Sequence, residues 1–298
     1  MKIALGPLQY YWSRDTTMMF YAKVCDWPVE FVYLGETVCS RRHELRLSDW
    51  FDIAAMLSEA GKTPILSTQV LLESGKDMRT LRRITEAQTY LVEANDMGAV
   101  HNMQGQPFVA GPFLNIYNTP ALAQMVAQGA SRWVAPLEMG AASLGAILKD
   151  KPQPLETEVF AYGRMPLAFS ARCFAARHYN YPKDDCHYVC LQHPDGMLVQ
   201  TKKGQPFLTI NGIQTQSALV YTLIHELEAL REMGVNVIRL SPQAEHMEAI
   251  VQIFHEVMAG KREAAQGHEA MCPLMPADPC NGYWYGRPGL DMVQPQAA

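Results

Sequence analysis

The sequence predicts an α/β protein, an irregular (β/α)8 TIM-like barrel with an insertion after its seventh strand. Short β-rich runs alternate with longer segments of helical period along the chain. Such alternation implies a parallel sheet, because parallel pairing demands long crossover connections. Eight such units fit a barrel of about 250 residues plus insertions, and the chain has 298 residues. The G-x-G-x-x-G fingerprint that would favour an open, doubly wound sheet is absent.

The first run is Lys2 to Gly6, followed by a helix over Ser13 to Trp27 with Asp15 in its first turn. Val29 to Leu34 (VEFVYL) is the second strand, closed by Gly35. Ser48 to Ala60 is the second helix, with a serine at its start and Gly61 just past its end. Thr63 to Val70 is the third strand and Asp77 to Thr89 the third helix. Leu91 to Val100 is the fourth strand region, with too few residues after it for a full helix. Phe108 to Gly111, Arg132 to Leu137 and Thr157 to Tyr162 are the fifth to seventh strands; helices over Thr119 to Gly129 and Ala141 to Leu148 separate them. A hairpin is expected from Met197 to Thr201 and Pro206 to Ile210. Ser217 to Met233 reads as the strongest helix, followed by the eighth strand Val235 to Leu240 and the helix Glu245 to Met258. The barrel is thus expected over 1–266, including an insertion over 164–215, with an irregular tail over 267–298 packed on it.

Composition narrows the function classes. The chain is 48% hydrophobic, so it can bury a large core without staples. Net charge is −5 with no basic cluster, which argues against a nucleic-acid surface. The start, MKIALGPLQYYWSRD, reads as neither a secretory signal nor a transmembrane span. Seven cysteines without such a signal do not suggest a disulfide framework; thiols used for metal binding or catalysis in the cytoplasm are the better expectation.

Three of those cysteines, Cys173, Cys186 and Cys190, fall in a C-x12-C-x3-C array with no regular period through it. Arg172, Arg177, His178 and Lys183 flank them, a local field expected to favour thiolates. Something other than core packing must order this segment, and three thiols in eighteen residues point to a metal. In a barrel the loops after the strands gather at one face. That face would bring Cys39, in the loop after the second strand, to the other three. Cys25 reads as a small core hydrophobe, and Cys272 and Cys280 lie in the tail. The spacing leaves open an iron–sulfur cluster with one remote ligand, a zinc site, or unliganded redox cysteines.

The segments GETVCSRRHE, EANDMGAV, AYGRMPLAFSARC with the following KDDC-x3-C, and NGYWYGRPGLD carry a resemblance along nearly the whole chain. They resemble the U32 family, and within it the subunits of an oxygen-independent ubiquinone hydroxylation system. The resemblance implies a [4Fe-4S] cluster on Cys39, Cys173, Cys186 and Cys190. It also implies a heterodimer with a homologous subunit, and hydroxylation of the ring of a quinone precursor without molecular oxygen.

The family's historical label is peptidase. The chain has no G-x-S-x-G elbow, and Glu follows His at His43, His225 and His255 without the second histidine of H-E-x-x-H. Polar residues at strand ends sketch a substrate pocket: Asn95, Asp96, Asn115, Glu138, Arg164 and Arg172. Each could instead cap a helix or bind loop backbone. Arg41, Arg42 and Arg46 read as a solvated run or as support for a cluster's charge. A site with no cavity beside it would favour an electron-relay or structural role, and an open pocket lined by Asn95, Asn115 or Glu138 an enzyme.

Overall fold

The computed structural model describes residues 1–294; the last four residues of the expected tail, 295–298, lie outside them. In chain order the elements are β1 (Lys2–Leu5), α1 (Arg14–Val24), β2 (Phe31–Leu34), α2 (Leu47–Glu59), β3 (Thr63–Ser67), α3 (Gly75–Glu86), β4 (Leu91–Ala94) and α4 (Met97–Asn102). Then come β5 (Phe108–Ala110), α5 (Thr119–Gln128), β6 (Ala130–Val134), α6 (Ala141–Lys149), β7 (Glu156–Gly163), β8 (Pro166–Phe169) and α7 (Phe174–His178). The chain continues through β9 (Met197–Gln200), β10 (Pro206–Asn211), β11 (Gln214–Ser217), β12 (Val220–Thr222) and α8 (Leu227–Glu232). Last are β13 (Val237–Leu240), α9 (Met247–Met258), α10 (Ala264–Met271) and β14 (Pro279–Cys280).

The expected barrel is present. Strands β1 to β7 pair in parallel in chain order, and β13 closes the ring against both β1 and β7. Side chains alternate across each strand. In β1, Ile3 and Leu5 pack outward beneath the helices, while Ala4 joins Phe31, Tyr33, Ile65, Val109, Val134 and Val237 inside the ring.

That interior also holds charge. Arg239 places Nε 2.6 Å from Glu158 Oε1 and Nη2 2.7 Å from Glu93 Oε1, the second contact an ion pair off the hydrogen-bond axis. Its guanidinium lies 4.0 Å from the centre of the Tyr33 ring, whose hydroxyl donates to Glu158 Oε2 at 2.5 Å. Arg132 reaches the same oxygen at 3.2 Å. Burial alone would lower the Arg239 pKa, but Glu158 and Glu93 raise it well above its ordinary value. Balanced charges of this kind tolerate burial only as a set.

The structure corrects three expectations. Ser217 to Met233 is not one helix: Val220–Thr222 pairs antiparallel with β7, and only Leu227–Glu232 is α-helical after a 3-10 turn over Ile224–Glu226. Its apolar residues are buried on every side, so helical and extended periods look alike, and the Val-Tyr-Thr run decides for the strand. The fourth crossover does hold a helix, α4, because Asp96 accepts from Gly98 N at 2.6 Å and caps it. The tail is not irregular throughout, since α10 packs on α9 and β14 extends the sheet beside β12.

The expected hairpin is β9 with β10. It grows into a four-stranded antiparallel sheet ordered β8-β11-β10-β9, standing beside the barrel. The chain leaves the ring at Gly163, with φ +124°, where an added Cβ would come within 2.5 Å of Ser241 Cβ. Only glycine fits both demands there.

Replacing Arg239 with Met should strand Glu93 and Glu158 and cost about 3–5 kcal/mol. Arg231→Ala, at the exposed pair with Glu228, should cost below about 1 kcal/mol. Denaturant midpoints of the two variants would check this; equal losses would show that the interior charges do not stabilise the ring.

Candidate functional site

The loop after β2 and the insertion after β7 meet at the C-terminal mouth of the barrel, and Arg42 stands where they touch. Its side chain is 1% exposed. Nη1 donates to Gln9 O at 2.7 Å, and Nη2 donates to Asn211 Oδ1 at 2.6 Å. Glu36 Oε1 lies 3.5 Å from Nη1 and accepts from the backbone N–H groups of Val38 and Cys39 at 2.9 Å each. Burial works against a charged Arg42, but Glu36, Cys190 and Cys39 hold its pKa above the ordinary value.

Two of the four expected cysteines, Cys190 and Cys39, flank this guanidinium, and a third lies close to them. Cys190 contacts Arg42, Cys39 lies on the same loop, and Cys173 is near enough to both thiols to act on them electrostatically. Cys173 also caps α7, its Sγ accepting from Ala176 N at 3.4 Å. Cys186 is half-buried on the same insertion, at the end of a 3-10 turn over Lys183–Asp185. His187 and Tyr188, between Cys186 and Cys190, both take left-handed φ values of 48° and 51°. Such a conformation is costly for bulky side chains and is held by its surroundings. Among the described residues, no three His, Cys, Asp or Glu side chains converge tightly enough to chelate a single ion.

The electrostatics correct one expectation. For Cys190 the flanking cations do not outweigh burial. Burial pushes Cys39 up to about 11 and raises Cys190, with Arg42 pulling both back. Arg172 and Arg177 are exposed, and Lys183 is turned to Glu73 Oε1 at 2.7 Å and Ala171 O at 2.7 Å. Arg41 pairs with Asp184 across the same seam, and Arg46 is exposed. Of the three arginines, Arg42 is the buried one. Cys25 is half-buried at the end of α1 with its thiol toward Tyr21 O at 3.6 Å; Cys280 is buried, and Cys272 is exposed.

A network of buried amides fastens the insertion to the barrel. Gln9 O also accepts from Asn211 Nδ2 at 2.7 Å, and Gln9 Oε1 accepts from Gln214 Nε2 at 2.6 Å. Gln214 Oε1 in turn accepts from Asn211 at 3.0 Å and Gln216 at 2.8 Å. Trp12 adds a hydrogen bond to Pro194 O at 2.8 Å. In the sequence these amides look like surface residues, and only the fold shows that they are interior.

The strand-end residues divide. Asn95 is buried, its Nδ2 donating to Thr68 O at 3.0 Å and Glu93 Oε2 at 3.3 Å, so it supports the ring. Asp96 caps α4. Arg164 is buried and donates to Thr209 Oγ1 at 2.9 Å and to the Ser217 and Ala218 carbonyls, holding β7 to the insertion. Arg172 is exposed. Asn115 and Glu138 do share a cavity, of about 200 Å³, with Tyr117, Phe113 and Phe169. A larger cavity of about 480 Å³ opens between α2, α3 and the loop after β2. Glu36 and Arg42 line it, with Leu45, Trp50, Gln69 and Lys76. The α2 and α3 residues in this wall gave no signal in sequence, because helix residues facing a cavity share the pattern of core residues.

The family model for peptidase family U32 matches residues 17–293. The chain belongs to family U32. Among solved structures, the chain is similar to the U32 peptidase Mk0906, at 11% identity and a TM-score of 0.46 over 82% of this chain and 93% of that one. It is similar also to the spore cortex-lytic enzyme SleL of Bacillus megaterium QM B1551, at 10% identity and a TM-score of 0.43 over 86% and 73%. No helix among the described residues of this U32 chain is long and apolar enough to cross a membrane.

Gln214→Ala removes a group with three buried hydrogen-bond partners, each orphan costing about 1–3 kcal/mol. Limited proteolysis should then cut within 166–217 well before the barrel is attacked. Unchanged resistance of that segment would show that the amide network does not hold it.

Proposed function

We propose that this chain is the iron–sulfur subunit of an oxygen-independent hydroxylase, similar to UbiV, acting on the ring of a ubiquinone precursor in the cytoplasm with a homologous UbiU-like subunit. One observation carries the reading: Cys39 and the cysteine insertion meet around a single buried arginine whose Nε–H has no partner. Four cysteines, one of them from a remote loop, are the donor type that holds a [4Fe-4S] cluster. Cys39, Cys173, Cys186 and Cys190 would hold the group, which supplies one-electron chemistry when bound.

The rest of the site does what side chains can do. The cavity of about 480 Å³ shares Glu36 and Arg42 with the cysteines, and falls in the size range of small-molecule sites, about 300–1,000 Å³. The cavity of about 200 Å³ at Asn115 and Glu138 is below it. A third cavity of about 460 Å³ has an almost wholly polar wall, so we assign the precursor's ring to the one of about 480 Å³, which has the apolar lining. Trp50, Leu45 and Leu66 would exclude water from the ring, while Gln69 and Lys76 would orient its polar substituents. A cavity next to the cysteines supports an enzyme role over a pure electron relay. Exposed large apolar side chains support the partner: Phe174, Tyr181, Tyr188, Leu191, Leu198 and Phe207 all lie on the insertion.

The family name supports a second reading, a peptidase. Among the described residues, no serine or cysteine hydrogen-bonds a histidine, the usual activation of such a nucleophile. Peptide cleavage that survives removal of iron would favour it.

Protein purified without oxygen should be brown, with about four iron and four sulfide per chain; colourless protein with stoichiometric zinc would sink the cluster. Alanine at Cys39, Cys173, Cys186 or Cys190 should each lose iron, while Cys25→Ala retains it. A deletion strain grown without oxygen should lack ubiquinone and regain it with oxygen; normal anaerobic levels would refute the pathway assignment.

A further inference from the structure

We propose that Arg42 is the positioning residue of the cysteine site, donating its Nε–H to a cysteine-borne sulfur and coupling what the cysteines hold to closure of the insertion. This role rests on the iron–sulfur reading above and extends it from the ligands to the residue that makes them compatible with burial.

A guanidinium offers five N–H donors in a fixed fork. In Arg42, Nη1 and Nη2 are committed to Gln9 O and Asn211 Oδ1, one on the barrel loop and one on the insertion. The Nε–H is buried and meets no acceptor in hydrogen-bond geometry, while the Cys190 side chain lies within reach of the guanidinium. At 1% side-chain exposure, solvent does not supply one. A charged donor buried and unpaired is among the costliest features a fold can keep. The groups beside it are Glu36, already accepting two backbone N–H groups, and the thiols of Cys190 and Cys39.

A neutral thiol is a weak acceptor. A metal-bound cysteine sulfur carries negative charge and accepts a charge-assisted hydrogen bond, roughly twice as strong as a neutral one. Arg42 thus leaves its Nε–H unused when the cysteines are empty and gains a strong acceptor for it when they hold an electron-rich centre. Because the same side chain grips Gln9 and Asn211, occupation at the cysteines tightens the grip on the insertion. Lysine cannot substitute: it brings a point charge but no fork.

Two readouts on the anaerobically purified, iron-loaded protein separate these roles. Hydrogen bonds to cluster sulfurs and nearby charge set the potential, so Arg42→Gln should move the cluster's midpoint potential to a more negative value. Arg42→Lys keeps the charge and should recover most of that shift, yet backbone amide exchange within 166–217 should rise about tenfold, the effect of about one buried hydrogen bond. Asn211→Ala, which breaks only the insertion side, should raise exchange there with the potential unchanged, and it keeps the test open if Arg42→Gln does not fold. Chelating iron from the unaltered protein should also raise exchange in 166–217. A potential that Arg42→Gln leaves in place, or exchange indifferent to iron, overturns this role while the cluster stands. Unaltered protein that binds no iron–sulfur centre overturns the functional reading and this role with it.

Discussion

Closure of the ring is the constraint on which the site depends. Cys39 and Cys173 are 134 residues apart in sequence, and their loops follow strands separated in the ring by β1 and β13. They meet because β13 pairs in parallel with β1 on one side and with β7 on the other. An open sheet would leave β2 and β7 far apart along its width. Each ladder bond adds only about 0.5–1.5 kcal/mol net, so closure is carried by the packed layers on both faces of the strands. The charged set of Glu93, Glu158, Arg132 and Arg239 sits at the centre of that closure, and its members constrain four different strands at once.

The polar interior of the ring and the polar seam at its mouth obey one rule with different results. Glu93 and Asn95 belong to the ring's interior, where Ser67 donates to Glu93 and Asn95 donates to Thr68 O. Gln9, Asn211 and Gln214 belong to the seam, where the same chemistry binds the antiparallel insertion to the barrel. Weak individually, the amide contacts act together because any one that breaks leaves buried groups unpaired. The insertion is therefore held by specificity rather than by apolar area, and several of its large apolar side chains remain exposed.

Much of this was legible in the sequence where one period dominates. FVYL is a continuous apolar strand, and the parallel ring follows from the alternation of such runs with helical segments. The cysteines were legible because four of them fall after barrel strands, wherever the intervening helices begin and end. Legibility failed where burial is total. Ser217 to Met233 has apolar residues on every side, so its period carried no direction, and the chain there follows its β-branched residues and the free edge of β7. It failed again at Asn95 and Arg164, since a polar residue at a strand end looks the same whether it faces a ligand or a neighbouring carbonyl. Arg41, Arg42 and Arg46 form one charge run in the sequence; the fold pairs one with Asp184, exposes another and buries the third.

Arg42 is also where stability and function separate. A buried guanidinium facing a carboxylate at 3.5 Å gains less than its desolvation costs unless every donor is used. An apolar side chain of similar volume would pack this seam at lower cost, and Glu36 could then be neutral or absent. The chain instead keeps a cation whose Nε–H is unpaired among cysteines, at a turn where His187 and Tyr188 adopt left-handed backbone. Two local penalties at one place, neither of which helps the barrel close, are the pattern of a site shaped for what it holds. Burial raises the pKa of Cys39 and Cys190, with Arg42 pulling both back.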